Sequence, residues 1–158
     1  IIYYGAHRAG RTKYFERYFK DAPYPVTIST FRGGKAFLDT CGDDINVIGA
    51  FKRQEQAAAW CATVYIEDEQ SHTLFTSLAT RFYECLQIGL PQFVDIDCLS
   101  TFKSAGMQVP EHFIVSSAKS LKRLLPQSDR IMRDQRNLWW RDYAKDIRVQ
   151  LTEAAKSL

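Results

Sequence analysis

Two pairs of residues in this chain have the types and spacing to bind a ligand with phosphates at one end and hydroxyls at the other. Arg81 and Glu84 lie three apart within TSLATRFYECLQIGLP, residues 76–91, and on a helix that spacing puts both on one face. Arg8 and Arg11 lie three apart in GAHRAGR, residues 5–11, a run that also holds Gly5 and Gly10. A guanidinium grips phosphate oxygens in a bidentate way, and glycine lets backbone turn tightly and approach a ligand closely. A carboxylate can accept both hydrogen bonds of a ribose-like diol. A third run, Gly49-Ala50-Phe51-Lys52-Arg53, is small at its start and basic at its end. It suits contact with a base or phosphate and equally suits a plain strand-to-helix turn.

Other chemistries find less support. The glycine runs match neither GxxxxGK[ST] nor GxGxxG, so a P-loop or dinucleotide fingerprint is not indicated. His7, His72 and His112 are too scattered for a metal site, and no nucleophile-elbow sequence is present. Glu67, Asp68 and Glu69 read as a solvated acidic turn in preference to a cation site. Cys41, Cys61, Cys85 and Cys98 lack zinc or CxxC spacing, which predicts buried, reduced thiols and an intracellular, cytoplasmic setting.

The elements that must position these residues alternate almost from end to end. Strands are expected at 1–4, 26–29, 45–48, 62–66, 92–96 and 112–115, and helices at 12–19, 35–40, 53–61, 76–88, 98–105 and 117–125. In the helix over 76–88, Leu78, Phe82 and Leu86 form an apolar stripe, Thr76 or Ser77 supplies the cap, and Gly89 then Pro91 end it. Tyr14, Phe15, Tyr18 and Phe19 give the first helix an aromatic side for packing on a sheet. From Ser128 onward Trp140, Tyr143, Ile147, Leu151, Ala154 and Leu158 mark a long amphipathic closing helix. Strand and helix repeated this way predict an α/β fold: one Rossmann-like, doubly wound parallel sheet of about six strands. Ligands of such sheets sit outside the carboxyl ends of the strands, where the runs 5–11, 30–34, 49–53, 67–77 and 96–98 fall.

Composition agrees with one domain spanning 1–158. The 158 residues are 46% hydrophobic and 25% charged, as in an ordinary globular chain. No apolar run approaches bilayer length, no signal peptide is visible, and the opening Ile1-Ile2 without Met is what a piece of a longer protein would show. The net charge of +3 conceals a basic first third, an acidic middle and a basic end. A basic nucleic-acid-binding domain is therefore one rival reading, and a non-catalytic nucleotide- or partner-binding Rossmann-like module is another.

On this order of elements, residues 45–95 resemble the carboxyl-terminal, donor-binding domain of GT-B glycosyltransferases. The likeness rests on INVIG (45–49), TVYIED (63–68) and TSLATRFYECLQIGLPQFVD (76–95). It implies that Glu84 holds the donor ribose and that the amides around Thr76, Ser77, Leu78 and Ala79 meet the diphosphate, with Arg81 adding charge. The opening YYGAHRAGR looks like the family's first strand and phosphate-facing loop, which brings in Gly5, Arg8 and Arg11, while Gly49 and Lys52 join from the third loop. The implied partner is a nucleotide diphosphate sugar such as a UDP-sugar, bound without a metal or other cofactor. RFYE followed by Gly-x-Pro is also similar to bacteriophage glycosyltransferases, some of which act on modified DNA. Thr76 stands where many relatives carry a first Glu, so sugar contacts do not carry over. The amino-terminal domain that supplies acceptor contacts in the family has no counterpart in these residues, and it would have to come in cis or in trans.

Overall fold

Six short strands form the frame. The computed structural model describes residues 1–68 and 77–141. The strands are β1 (Ile2–Tyr4), β2 (Thr27–Ser29), β3 (Asn46–Ile48), β4 (Thr63–Tyr65), β5 (Gln92–Asp95) and β6 (Ile114–Val115). β2, β4 and β5 are buried along their whole length, and β3 at the edge is partly exposed. All pairings are parallel, in two three-stranded sheets ordered β1-β2-β3 and β4-β5-β6. The sheets meet edge to edge, where the Ile2 amide donates to the Ala62 carbonyl at 3.0 Å. Read across that seam the order is β3-β2-β1-β4-β5-β6, the doubly wound arrangement, with its switch point between β1 and β4. The expected α/β class and strand count hold. The division into two sheets, joined by that backbone bond, is the refinement.

The crossovers are α1 (Thr12–Phe19), α2 (Gly34–Cys41), a 3-10 helix over Gln54–Ala59, α3 (Thr80–Ile88) and α4 (Leu99–Ser104), and α5 (Ala118–Leu124) follows β6. Tyr14, Phe15, Tyr18 and Phe19 of α1 are all buried, with Phe15 edge-on to Tyr3 of β1 at 5.2 Å. Ser117 caps α5 by accepting from the Ser120 amide at 3.1 Å. A 3-10 turn through Pro126 then leads into α6 (Ser128–Gln135) and a π-helical turn over Arg136–Trp140. Trp139 is buried there against Phe82, Phe102 and Phe113. The stripe from Tyr143 to Leu158 lies outside the described residues, as do Thr76 and His72.

α3 departs from expectation at its start. It begins at Thr80 with Ala79 as its cap and no side-chain capping bond. Ser77–Ala79 runs extended into it because Leu78 is buried in the core and the Ala79 amide donates to the Tyr65 hydroxyl at 3.0 Å. Its end is as expected, with Gly89 in the left-handed region at φ 73°. The cysteines also differ in part. All four are free, and Cys41, Cys85 and Cys98 are buried, but Cys61 is exposed in the turn leading to β4. Among the described residues no helix is long and apolar enough to cross a membrane.

A buried polar strut ties the halves together. Asp95, with no exposed surface, accepts from Tyr18 Oη at 2.5 Å, Arg17 Nη1 at 2.8 Å and the Asp97 amide at 2.8 Å. Tyr18 also reaches the Val115 carbonyl at 3.0 Å, so α1 of the first half grips β5 and β6 of the second. Burial and the neighbouring Asp95 push the Tyr18 hydroxyl far above its usual range, which keeps it a donor.

Candidate functional site

Both sides of the switch point open into clefts at the carboxyl ends of the strands. The first, of about 320 Å³, is lined by Arg8, Arg11, Tyr65, Glu67, Thr101 and the segment Ser77–Thr80. The second, of about 370 Å³, is lined by Tyr4, Gly5, Ser29, Thr30, Phe51, Lys52 and Glu84, with Phe31, Ala50 and Arg53 at its rim. β1 feeds both, since successive side chains of a strand point to opposite faces. The Tyr3 hydroxyl accepts from Arg11 and Arg81 on the first side, whereas the Tyr4 hydroxyl donates to Glu84 on the second.

The two loop arginines are unlike each other. The side chain of Arg8 is 63% exposed and that of Arg11 only 7%. Arg11 is inward because a 3-10 turn, Ala9–Arg11, leads straight into α1 and folds the loop onto the segment after β4. Gly10 makes that approach possible: a Cβ there would lie 2.8 Å from the Asp68 Cβ. Gly5 sits at φ 141°, a conformation side chains disfavour, and a Cβ there would lie 3.4 Å from Arg81 Nη1.

Glu67 corrects the reading of the acidic turn. It is not solvated: it is 4% exposed and its carboxylate bridges two guanidiniums, one oxygen on Arg11 and the other on Arg81 at 2.9 Å. Arg81 also donates to the Ile66 carbonyl at 2.8 Å and to Tyr3 Oη at 3.3 Å, and stacks over the Tyr3 and Tyr65 rings. Burial alone would lower the Arg81 pKa, but Tyr3 and Glu67 outweigh it and the group is held firmly charged. Asp68 adds looser pairs to Arg11 Nε at 3.7 Å and Arg8 at 3.8 Å. The Nε atoms of Arg11 and Arg81 are buried without a hydrogen-bond partner among the described residues.

Glu84 borders the second cleft, on the turn of α3 beyond Arg81. Tyr4 Oη donates to its Oε2 at 3.2 Å and lies 3.2 Å from Cys85 Sγ and 3.3 Å from the Arg81 carbonyl. Burial, with Cys85 and Glu84 beside it, raises the Tyr4 hydroxyl well above its ordinary value. Phe51 packs on Tyr4 and Trp60, closing the far wall.

The structure therefore brings Arg8, Arg11, Ser77, Leu78 and Ala79 to one cleft and Gly5, Lys52 and Glu84 to the other, with Arg81 behind Glu67 between them. Gly49 lines neither; its carbonyl accepts from Ser29 Oγ at 3.1 Å. His7 is packed between Phe15 and Phe37, its Nε2 3.1 Å from Thr40 Oγ1, and faces no cleft. Thr30 fell within the 30–34 run and Glu67 within the acidic turn, whereas Tyr3, Tyr4, Ser29 and Tyr65 were not picked out from the sequence. Their one signal was position at the end of a strand. Among the described residues no group of three His, Cys, Asp or Glu is placed to hold a metal ion.

A parallel sheet of order 3-2-1-4-5-6 with clefts at its switch point is of the Rossmann-like class. Two solved structures share that fold with this chain. One is a T4 phage BGT mutant in complex with UDP-glucose, matched with a TM-score of 0.61 and 16% identity over 92% of this chain and 46% of that one. The other is the DNA-modifying enzyme beta-glucosyltransferase, studied with and without uridine diphosphoglucose, at a TM-score of 0.59 and 16% identity over 92% and 50%. The chain spans about half the length of each. At that identity the likeness is one of fold, and it agrees with the glycosyltransferase resemblance read from residues 45–95. No protein-family model matches the sequence, and no curated protein does.

Proposed function

We propose that this chain is the donor-binding half of a GT-B glycosyltransferase and takes a nucleotide diphosphate sugar, with UDP as the nucleotide. The observation that carries this reading is the pair of clefts flanking β1: Arg8 and Arg11, with Glu67 beside them, line one, and Glu84 with aromatic, small polar and basic neighbours lines the other. A nucleotide diphosphate has matching halves. Arg8 and Arg11 hold the diphosphate with the amides of Ser77 and Leu78; the Ala79 amide is already engaged by Tyr65. Glu84 takes the ribose diol. Gly5 and the 49–52 loop with Lys52 border the nucleoside.

Fixed donors of this kind stabilise the negative charge that develops on a departing diphosphate because they are oriented before reaction. In this reading they do so without a metal. Acceptor contacts and the base that activates the acceptor come from an amino-terminal domain, in cis or in trans. Modified DNA is the acceptor class this reading favours, and the cytoplasm its setting.

Titration calorimetry with UDP, UDP-glucose and a panel of other nucleotides tests the reading. Arg8→Ala and Glu84→Ala should each weaken UDP binding at least several-fold, and Arg8 is exposed enough that its loss leaves folding intact. Absence of binding by any nucleotide to the intact chain would sink the proposal.

A further inference from the structure

Arg8 and Arg11 line the first cleft and Arg81 lies behind it, and their charges are already engaged. Glu67 lies between Arg11 and Arg81 and holds one oxygen against each, so Arg81 is screened from the cleft that Arg11 and Glu67 line. Asp68 pairs with Arg8 and again with Arg11. Three positive charges thus face two negative ones, and one is left over. A carboxylate spanning two guanidiniums presents the same acceptor geometry that two phosphate oxygens would.

We propose that Glu67 is a built-in counter-anion that occupies a phosphate locus and yields Arg11 and Arg81 to an entering polyphosphate. Glu67 would then determine specificity. A ligand must bring enough charge, over enough length, to replace a bridging carboxylate on two arginines. Diphosphates meet that demand, while a single phosphate or a neutral nucleoside does not. Position on the chain favours the exchange: Glu67 follows directly on Tyr65 and Ile66, so turning its side chain away leaves β4 in place. The buried Nε atoms of Arg11 and Arg81 make no hydrogen bond among the described residues, although Arg11 Nε lies 3.7 Å from Asp68, so they are donors that Glu67 does not use.

This inference rests on the anion-binding part of the proposed function, and its test separates the two. The probes are inorganic pyrophosphate, inorganic phosphate, UDP and uridine, titrated calorimetrically into the full chain. Glu67→Gln keeps the shape and removes the charge. It should bind pyrophosphate and UDP about tenfold more tightly than the parent chain, narrow the preference for pyrophosphate over phosphate, and leave uridine unchanged. Unchanged or weaker pyrophosphate binding by a folded Glu67→Gln variant overturns the proposal, as does absence of pyrophosphate binding by both proteins. Should circular dichroism show that the variant does not fold, the parent chain decides. On saturation with pyrophosphate, the 15N-resolved side-chain Nε–H signals of Arg11 and Arg81 should both shift, and a shift confined to Arg8 refutes the exchange. Pyrophosphate binding that behaves as expected while UDP adds nothing to it would count against the nucleotide reading alone.

Discussion

Tyr4→Phe removes one oxygen atom, and the structure says what it should cost. The hydroxyl donates to Glu84 Oε2 at 3.2 Å, while the ring packs on Phe51, a contact phenylalanine keeps. A hydrogen bond to a charged group contributes about 1.5–3 kcal/mol. At 3.2 Å and with the tyrosine only half-buried, the low end applies. Losing ~1.5 kcal/mol of orientation at Glu84 weakens a ribose-dependent ligand by about tenfold. The assay is calorimetry with UDP on the parent chain, Tyr4→Phe, Glu84→Gln and the double variant, with pyrophosphate as control. Because the two groups act through one contact, the double variant should bind UDP no more weakly than Glu84→Gln alone. Pyrophosphate affinity should not move. If Tyr4→Phe binds UDP like the parent chain, or the two losses add in full, then Tyr4 does not position Glu84 and the second cleft has been misread.

Three further outcomes are expected. Asp95→Asn should lower stability by about 2–3 kcal/mol in urea denaturation, below the usual range for breaking a buried pair because Asn keeps an acceptor and Arg17 keeps Asp97; Arg17→Met in the same background should add little. His7, desolvated between two phenylalanine rings, has a pKa below its ordinary 6.5. The folded state then binds fewer protons than the unfolded state as pH falls through 6.5, so stability should decline on acidification, and His7→Gln should flatten that limb of the urea-midpoint profile. Finally, UDP affinity measured with and without a chelator should agree within a factor of two or so, because charged guanidiniums provide the phosphate contacts; a large loss on chelation would assign that role to a metal.

Alternation of apolar runs with amphipathic ones placed all six strands to within a residue or two, and the aromatic side of α1 identified what it packs on. Gly89 and Pro91 fixed the end of α3 because a left-handed stop leaves a mark in residue type. Its start was misplaced because Thr76 and Ser77 look like caps, whereas the tertiary contacts of Leu78 and Tyr65 decide where the helix begins. Glu67 was hidden for the same reason. In the chain it heads a run of acids and reads as solvated. Its burial follows from two arginines that are distant in sequence, and periodicity carries no information about such pairs. Arg8 and Arg11 were visible by type, but only the 3-10 turn and the missing side chain at Gly10 separate the exposed one from the buried one.

The seam between β1 and β4 has a consequence for how the chain is made. β1, β2 and β3 lie within the first third of the sequence and can pair as soon as they are synthesised. The other edge of β1 stays open until β4 arrives. An open parallel edge along Ile2–Tyr4 is a template for pairing with the wrong chain. The sequence meets that hazard with side chains rather than with a longer ladder, because among the described residues the ion-pair partners of the Arg17 guanidinium and the acceptors of the Tyr18 hydroxyl lie in the late half. Asp95, far along the chain, is therefore the residue that fastens the early half to the late one.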